Sequence, residues 1–100
     1  MIARIWHGKT DLSNLDAYSA FLRKTAIPDY KKTAGFQGLS FLRRVIGEEA
    51  HFQLITYWQN MESVRNFAGP EVDKAKYYPG DKAFLLEFEE KVQHYEVFAP

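Results

Sequence analysis

The sequence contains no cysteine, which excludes disulfide bonds and thiolate metal ligands. Its formal net charge is zero, with 13 basic and 13 acidic residues, and the basic residues are scattered. Because nucleic-acid binding needs a basic patch, we expect no nucleic-acid partner. No apolar run approaches the roughly 20 residues that cross a bilayer, and the first residues lack a signal-peptide pattern. We therefore expect no membrane association and a cytoplasmic location.

Apolar and aromatic residues, in contrast, are abundant. Hydrophobic residues make up 46% of the 100 residues and aromatic residues 16%. We predict a single domain, residues 1–100, and a domain of this size buries only a modest fraction of its unfolded surface. The apolar surplus indicates that a partner subunit or a small molecule covers part of the surface.

The most informative segment is a joint between a strand and a helix in the middle of the chain. An aromatic and β-branched strand ends at Trp58, and Asn60 is placed to cap the helix that follows. Gly69 supplies the stop for this helix. Between cap and stop, apolar residues recur at helical spacing, namely Met61, Val64, Phe67 and Ala68.

The remaining elements alternate in type along the chain. We predict strands at residues 2–7, 39–46, 51–58 and 91–98, with Gly8 ending the first strand. The first helix is predicted to begin at a capping box of Ser13 and Asp16 and to kink or end near Pro28. Short helical turns are predicted after Gly69 and at residues 81–86. The order β-α-β-β-α-β predicts an α+β, ferredoxin-like fold with an antiparallel sheet.

Both faces of the predicted sheet are apolar. In the third strand Phe52, Leu54 and Trp58 point one way, and Ile55 and Tyr57 point the other. The two helices cover one face, so the second face needs a cover of its own. A second copy of the sheet, packed face to face into a dimeric α+β barrel, is the economical cover, and we predict a homodimer.

Four segments carry a family resemblance: the joint at Trp58, the opening strand 3–8, the Tyr77-Tyr78-Pro79 segment and the closing strand 92–97. Together they resemble a bacterial branch of the antibiotic biosynthesis monooxygenase superfamily. The resemblance implies the same fold and dimeric barrel, and it matches Trp58 to the Trp that ends the third strand in many members. This scaffold hosts monooxygenases, haem-degrading enzymes, isomerases and proteins with no known activity.

The haem-degrading branch of that superfamily is a poor match. The resemblance implies that members of this branch have an Asn on the first strand, a Trp in the second helix and a His ten residues later. Here residues 4–7 contain no Asn, Phe67 stands at the Trp position and Tyr77 at the His position. Since the iron ligand of that branch is missing, we predict no haem degradation.

For the oxygenase members, the resemblance implies a phenol or quinol whose deprotonated form itself reduces dioxygen. The protein must then bind a flat aromatic in an apolar cavity, help to remove a proton and exclude water. His94 is the candidate general base because histidine titrates near neutral pH. Arg43 is a candidate group for an anionic substrate, and the candidate pocket walls are Trp6, Trp58, Phe67 and Tyr78.

Each candidate also has a purely structural interpretation. The two Trp residues suit a core, a lone strand His usually bonds to a neighbouring side chain, and Arg43 suits a surface ion pair. Three histidines without close spacing, and no nucleotide motif, predict neither metal nor cofactor. The favoured function is a cofactor-independent monooxygenase acting on a small aromatic molecule. The alternatives are a non-catalytic homodimer that binds a small molecule and an isomerase on the same scaffold.

Overall fold

A computed structural model describes all 100 residues. Its strands form one antiparallel sheet in the order β2-β3-β1-β4, and the chain has an α+β, ferredoxin-like fold, as predicted. Neither helix has the length and apolar character needed to cross a membrane. The elements in chain order are β1 (Ile2–Asp11), a 3₁₀ turn (Leu12–Asn14), α1 (Leu15–Lys31), β2 (Phe36–Ile46), β3 (Glu49–Trp58), α2 (Met61–Ala68), a second 3₁₀ turn (Pro79–Ala83) and β4 (Gln93–Glu96).

β1 and α1 are both longer than the sequence predicts. β1 passes through Gly8 and continues to Asp11 because β3 pairs with it over the whole length. α1 contains Pro28 and continues to Lys31. Tyr30, in this last turn, is buried in the core, so packing stabilises the turn although proline removes one backbone donor.

The start of α1 also differs from the prediction. The capping box of Ser13 and Asp16 does not form, and no side chain caps α1. Instead Asp11 Oδ2 accepts a hydrogen bond from the Ser13 backbone at 2.9 Å and caps the preceding 3₁₀ turn.

The last third of the chain is mostly irregular. No helix follows Gly69, and the second 3₁₀ turn covers only the start of the predicted 81–86 turn. Residues 84–91 run beside β1, where Leu86 donates its backbone N–H to the Lys9 carbonyl at 3.0 Å. β4 lies at one edge of the sheet and pairs with β1, while β2 forms the opposite edge.

The core lies between the two helices and one face of the sheet. Trp58 is fully buried there, and its indole N–H donates to Thr56 Oγ1 at 2.8 Å. Aromatic rings dominate the packing, and each ring pair adds about 0.5–1.5 kcal/mol beyond its buried area. The buried members of this core are Tyr18, Leu22, Ala26, Tyr30, Ala50, Phe52, Leu54, Trp58, Val64, Phe67 and Leu85.

The opposite face of the sheet is open. Leu42, Ile46 and Tyr95 lie on it and are 51%, 44% and 53% exposed. Ile5 and Ile55, which pair directly across β1 and β3, extend the apolar surface between them. A single chain thus leaves an apolar patch of this sheet face without cover.

Candidate functional site

A small cavity lies between the helices and the helix-facing side of the sheet, within the packed core. Its volume is about 30 Å³, which accommodates ordered water but not an aromatic ring. Aromatic rings and aliphatic side chains form most of its wall, with two cations and a carboxylate among them. The lining residues are Arg4, Trp6, Tyr18, Leu22, Ala26, Tyr30, Leu54, Phe67, Lys76, Tyr77, Tyr78, Asp81 and Val92.

Arg4 is the buried cation of this cavity. β1 places it between Ile2 and Trp6 on the helix-facing side, where it is 5% exposed. Its Nη1 donates to the Val72 carbonyl at 2.6 Å and its Nη2 to the Lys74 carbonyl at 3.0 Å, and no carboxylate contacts it. Burial lowers the pKa of Arg4. A desolvated guanidinium without a counter-ion is a binding group for an anion.

His94 lies behind Arg4 and does not line the cavity. Its Nε2 is 3.1 Å from Arg4 Nη1, and its Nδ1 is 3.0 Å from Asp73 Oδ1. Because a guanidinium can only donate, Nε2 is the acceptor and the proton sits on Nδ1. Burial, and secondly the charge of Arg4, lower the pKa of His94, which favours this neutral form. The residues form a line from Asp73 through His94 to Arg4.

Two of the tyrosines in the wall donate to carboxylates, one buried and one partly buried. The Tyr18 hydroxyl donates to Asp81 Oδ1 at 2.9 Å, and the Tyr78 hydroxyl donates to Asp29 Oδ2 at 2.6 Å. Burial and the neighbouring carboxylates raise the pKa of Tyr18 and of Tyr78. Although burial alone raises the pKa of Asp29, hydrogen bonds from Tyr78 and two lysines lower it overall. Both hydroxyls therefore keep their protons and act as donors.

The other two tyrosines differ in how they are held. Tyr77 accepts from the Trp6 indole at 3.2 Å and donates to the Glu89 carbonyl at 2.6 Å, so its hydroxyl is engaged on both sides. Tyr30 makes no hydrogen bond through its hydroxyl, and burial raises its pKa to about 12. Tyr30 is thus a protonated donor without a partner in the cavity wall.

Phe67 lies between the two cations of the site. The guanidinium carbon of Arg4 is 5.8 Å from the centre of its ring, and Lys76 Nζ is 4.2 Å from it. Lys76 also pairs with Asp29 Oδ2 at 3.0 Å. Arg4 is thus held by neutral groups, whereas the charge of Lys76 is paired with a carboxylate.

The structure brings together some of the residues named from the sequence. Trp6, Phe67 and Tyr78 line the cavity. Trp58 is packed inside the core and does not reach it. Arg43 lies at the surface, where it pairs with Asp16 at 3.1 Å and donates to Ser19.

Sequence reasoning missed Arg4 and Tyr30. Arg4 carried a signal, since it alternates with Ile2 and Trp6 on the face that their apolar side chains mark as buried. Tyr30 continues the four-residue spacing of the α1 stripe. The expectation that Pro28 ends the helix leaves Tyr30 outside the predicted stripe.

No protein-family model matches the sequence, and no curated protein matches it. Comparison with solved structures, in contrast, finds similarity over the whole chain. The haem-degrader MhuD from Mycobacterium tuberculosis, with two haems bound in its active site, gives a TM-score of 0.65 at 20% identity. That match covers 100% of this chain and 98% of MhuD.

Two further structures give similar values. A mutant of MhuD with two manganese protoporphyrin IX molecules bound per active site gives a TM-score of 0.62 at 17% identity, covering 100% of this chain and 97% of that one. A Bacillus cereus protein named as a candidate antibiotic biosynthesis monooxygenase gives 0.60 at 16% identity, covering 99% and 94%. The chain therefore shares its fold with MhuD and with this candidate antibiotic biosynthesis monooxygenase, and the resemblance predicted that fold.

Proposed function

We propose that this protein is a cofactor-independent monooxygenase that oxidises a small phenol- or quinol-type aromatic in the cavity. In this reaction class the substrate is its own reductant. In an anthrone, for example, the methylene group between the rings becomes a carbonyl, one oxygen atom of dioxygen enters the product, and the other leaves as water with the two hydrogens. The protein has to favour the ionised substrate and keep bulk water away.

The observation that carries the proposal is the buried, unpaired guanidinium of Arg4 in an aromatic wall. A cation beside a bound phenol favours the phenolate, so the substrate loses its proton to solvent more readily on binding. The free Tyr30 hydroxyl supplies a donor to the same oxygen. The aromatic walls of Trp6, Phe67 and Tyr78 suit a flat ring.

We assign His94 a positioning role in this reaction. Its Nε2 accepts from Arg4 and is not free to take a proton from the substrate. With Asp73 on its other nitrogen, His94 fixes the direction in which the guanidinium points. The general-base role suggested by the sequence requires that Nε2 first release Arg4.

Substrate entry requires movement of the side chains around the cavity. Lys76 and Tyr78 are the candidates, because both reach Asp29 at the rim and Lys76 is 38% exposed. We expect that breaking their hydrogen bonds to Asp29 opens the cavity. A hydroxyl group of the substrate can then donate to Asp29 and replace one of the hydrogen bonds that are lost.

Oxygen uptake with a panel of anthrones, naphthols and quinols tests the function. We expect uptake with at least one of them, and a loss of about 10²-fold or more in kcat/KM in Arg4→Met, the scale for removing one oxyanion donor. Arg65→Met, at an exposed arginine of α2, is the control and should retain the activity. Absence of uptake throughout, or full activity in Arg4→Met, would contradict the proposal.

We propose also that the protein is a homodimer joined through the open sheet face. Leu42, Ile46 and Tyr95 give that face exposed apolar side chains on its two edge strands, and Ile5 and Ile55 lie on the central strands between them. A second copy related by a two-fold axis presents the same surface, so one face can cover the other.

A second candidate function is a non-catalytic homodimer that binds a small aromatic molecule. The position of His94 favours it, because His94 does not line the cavity and its Nε2 is held by Arg4, which leaves no histidine base beside a bound ligand. Binding of panel compounds, seen as quenching of Trp fluorescence, without oxygen uptake would identify this function. An isomerase would use Arg4 in the same way, to stabilise an enolate, and would convert substrate without dioxygen.

A further inference from the structure

A second group of ionisable side chains lies away from the cavity. His7 of β1 points to the open face of the sheet, next to Glu87 and Glu89 of the segment beside β1. One ligand atom from each of these three residues lies within 4.8 Å of the other two. His7 Nδ1 and Glu89 Oε2 are 2.5 Å apart.

The other nitrogen of His7 leads into a hydrogen-bonded chain. His7 Nε2 is 3.1 Å from His51 Nδ1, and His51 Nε2 is 3.3 Å from Glu49 Oε1. Both imidazoles thus have a partner at each nitrogen. The chain runs from Glu89 through the two rings to Glu49.

Two neutral imidazoles cannot satisfy this chain. If His7 donates from Nδ1 to Glu89, its Nε2 must accept from His51 Nδ1–H. The bare Nε2 of His51 then faces the carboxylate of Glu49, which is also an acceptor. Lys9 Nζ already lies 3.4 Å from the other oxygen of Glu49, so the chain lacks only a hydrogen between His51 and Glu49, which either a metal ion at the His7 end or one further proton allows.

A divalent ion at His7 Nδ1 gives every nitrogen a partner. The Nδ1 lone pair and the carboxylates of Glu87 and Glu89 bind the ion. Nε2–H of His7 then donates to His51 Nδ1, and Nε2–H of His51 donates to Glu49. Metal-binding histidines characteristically have their second N–H held in this way by an outer group.

We propose that His7, Glu87 and Glu89 form a site for a divalent first-row transition ion of the Zn²⁺ or Mn²⁺ type. One imidazole nitrogen and two carboxylates are a ligand set that these ions accept, with positions left for water. His51 positions His7 from outside the ligand set. The sequence suggested no such site because its ligands are about eighty residues apart. The inference does not depend on the proposed oxygenase function.

Titration of metal-free protein with Zn²⁺ by calorimetry, and with Co²⁺ by visible absorption, tests the site. We expect one ion per chain and a higher melting temperature when the ion is bound. Glu87→Gln, Glu89→Gln and His7→Ala should each weaken binding at least tenfold. His51→Ala should weaken it by about 10- to 100-fold, the usual effect of losing an outer partner.

Glu90→Gln is the matched control, since Glu90 is an exposed carboxylate of the same segment outside the cluster. It should bind the ion like the unaltered protein. Glu87 is exposed as well, so its variant is not expected to disturb folding. Unchanged binding in Glu87→Gln and Glu89→Gln, or no binding of either ion, would overturn the proposal. A proton shared within the chain from Glu89 to Glu49 would then be the explanation for its hydrogen bonds.

Discussion

Among single residues, Arg4 departs most clearly from the usual pattern of buried charges. Buried cations are normally paired with carboxylates, whereas Arg4 is held by two backbone carbonyls and an imidazole. Neutral acceptors fix the guanidinium without cancelling its charge. The field of Arg4 is therefore available to an anion in the cavity.

His94 provides a test of how Arg4 is positioned. In His94→Ala one of the two acceptors of Arg4 Nη1 is lost while the Val72 carbonyl remains, and we expect kcat/KM to fall by about 10²-fold, as for other misplaced groups. In His94→Gln the amide can accept from Arg4 and donate to Asp73, so most of the activity should remain. Steady-state kinetics of the two folded variants decide between the roles, because a general base would be lost equally in both.

His94 should also make stability depend on pH. Its pKa is lowered in the folded protein, by burial first and by Arg4 second, from an ordinary value of 6.5. Below about pH 6.5 the unfolded chain therefore binds more protons than the folded one, and the free energy of unfolding falls as the pH decreases.

Urea denaturation across this pH range measures the effect. His94→Gln, which cannot take up the proton, should show a shallower decrease. An equally steep decrease in that variant would assign the pH dependence to other groups.

At the scale of elements, α2 shows how local signals set the bounds of a helix. Asn60 Oδ1 accepts from the Ser63 backbone at 2.9 Å, and Gly69 ends the helix with a φ of 86°. The Asn60 cap and the Gly69 terminus each involve only a few neighbouring residues, so the sequence was sufficient to predict both ends of the helix. The end of α1 and the length of β1 depend on burial of Tyr30 and pairing with β3, which are not local.

Loss of the α2 cap has a measurable consequence. Asn60→Ala should lower the free energy of unfolding by about 1 kcal/mol, which corresponds to roughly 4–8 °C in Tm for a domain of this size. Gln59→Ala, at the exposed neighbouring position, should change Tm much less. Thermal unfolding followed by circular dichroism makes the comparison, and equal shifts in the two variants would rule out a specific cap.

The irregular segment 69–92 contributes much of the site and could not be predicted. Long-range backbone bonds hold it, such as Ala75 N–H to the Glu90 carbonyl and Val92 N–H to the Asp73 carbonyl, both at 2.8 Å. Such bonds leave no periodic pattern in a sequence. The contacts of Tyr77 and Glu89 with β1 therefore emerge only from the folded chain.

For the whole molecule, the open sheet face predicts assembly. We expect light scattering to give the mass of a dimer at micromolar concentration. Leu42→Glu places a charge at the predicted interface and should give a monomer. Val45→Glu is the matched control, since Val45 is as exposed as Leu42 but lies on the other face of β2. A monomer mass for the unaltered protein would contradict the dimer.

Haem should not be degraded, even though MhuD has the same fold. By the resemblance, Tyr77 stands where the haem-degrading branch has its iron-binding His, and its hydroxyl is hydrogen-bonded to the Trp6 indole and the Glu89 carbonyl. Incubation with haem and a reductant should leave the Soret band unchanged. Loss of the band with release of iron would show that the prediction is wrong.

The most direct test of the site is the ionisation of a chromophoric phenol bound in the cavity. If Arg4 acts as an unpaired cation there, the bound phenol should ionise at a lower pH than the same phenol in water. Arg4→Met should abolish that decrease while Arg65→Met preserves it. A bound phenol whose pKa is unchanged or raised in the unaltered protein would contradict the anion-stabilising role of Arg4.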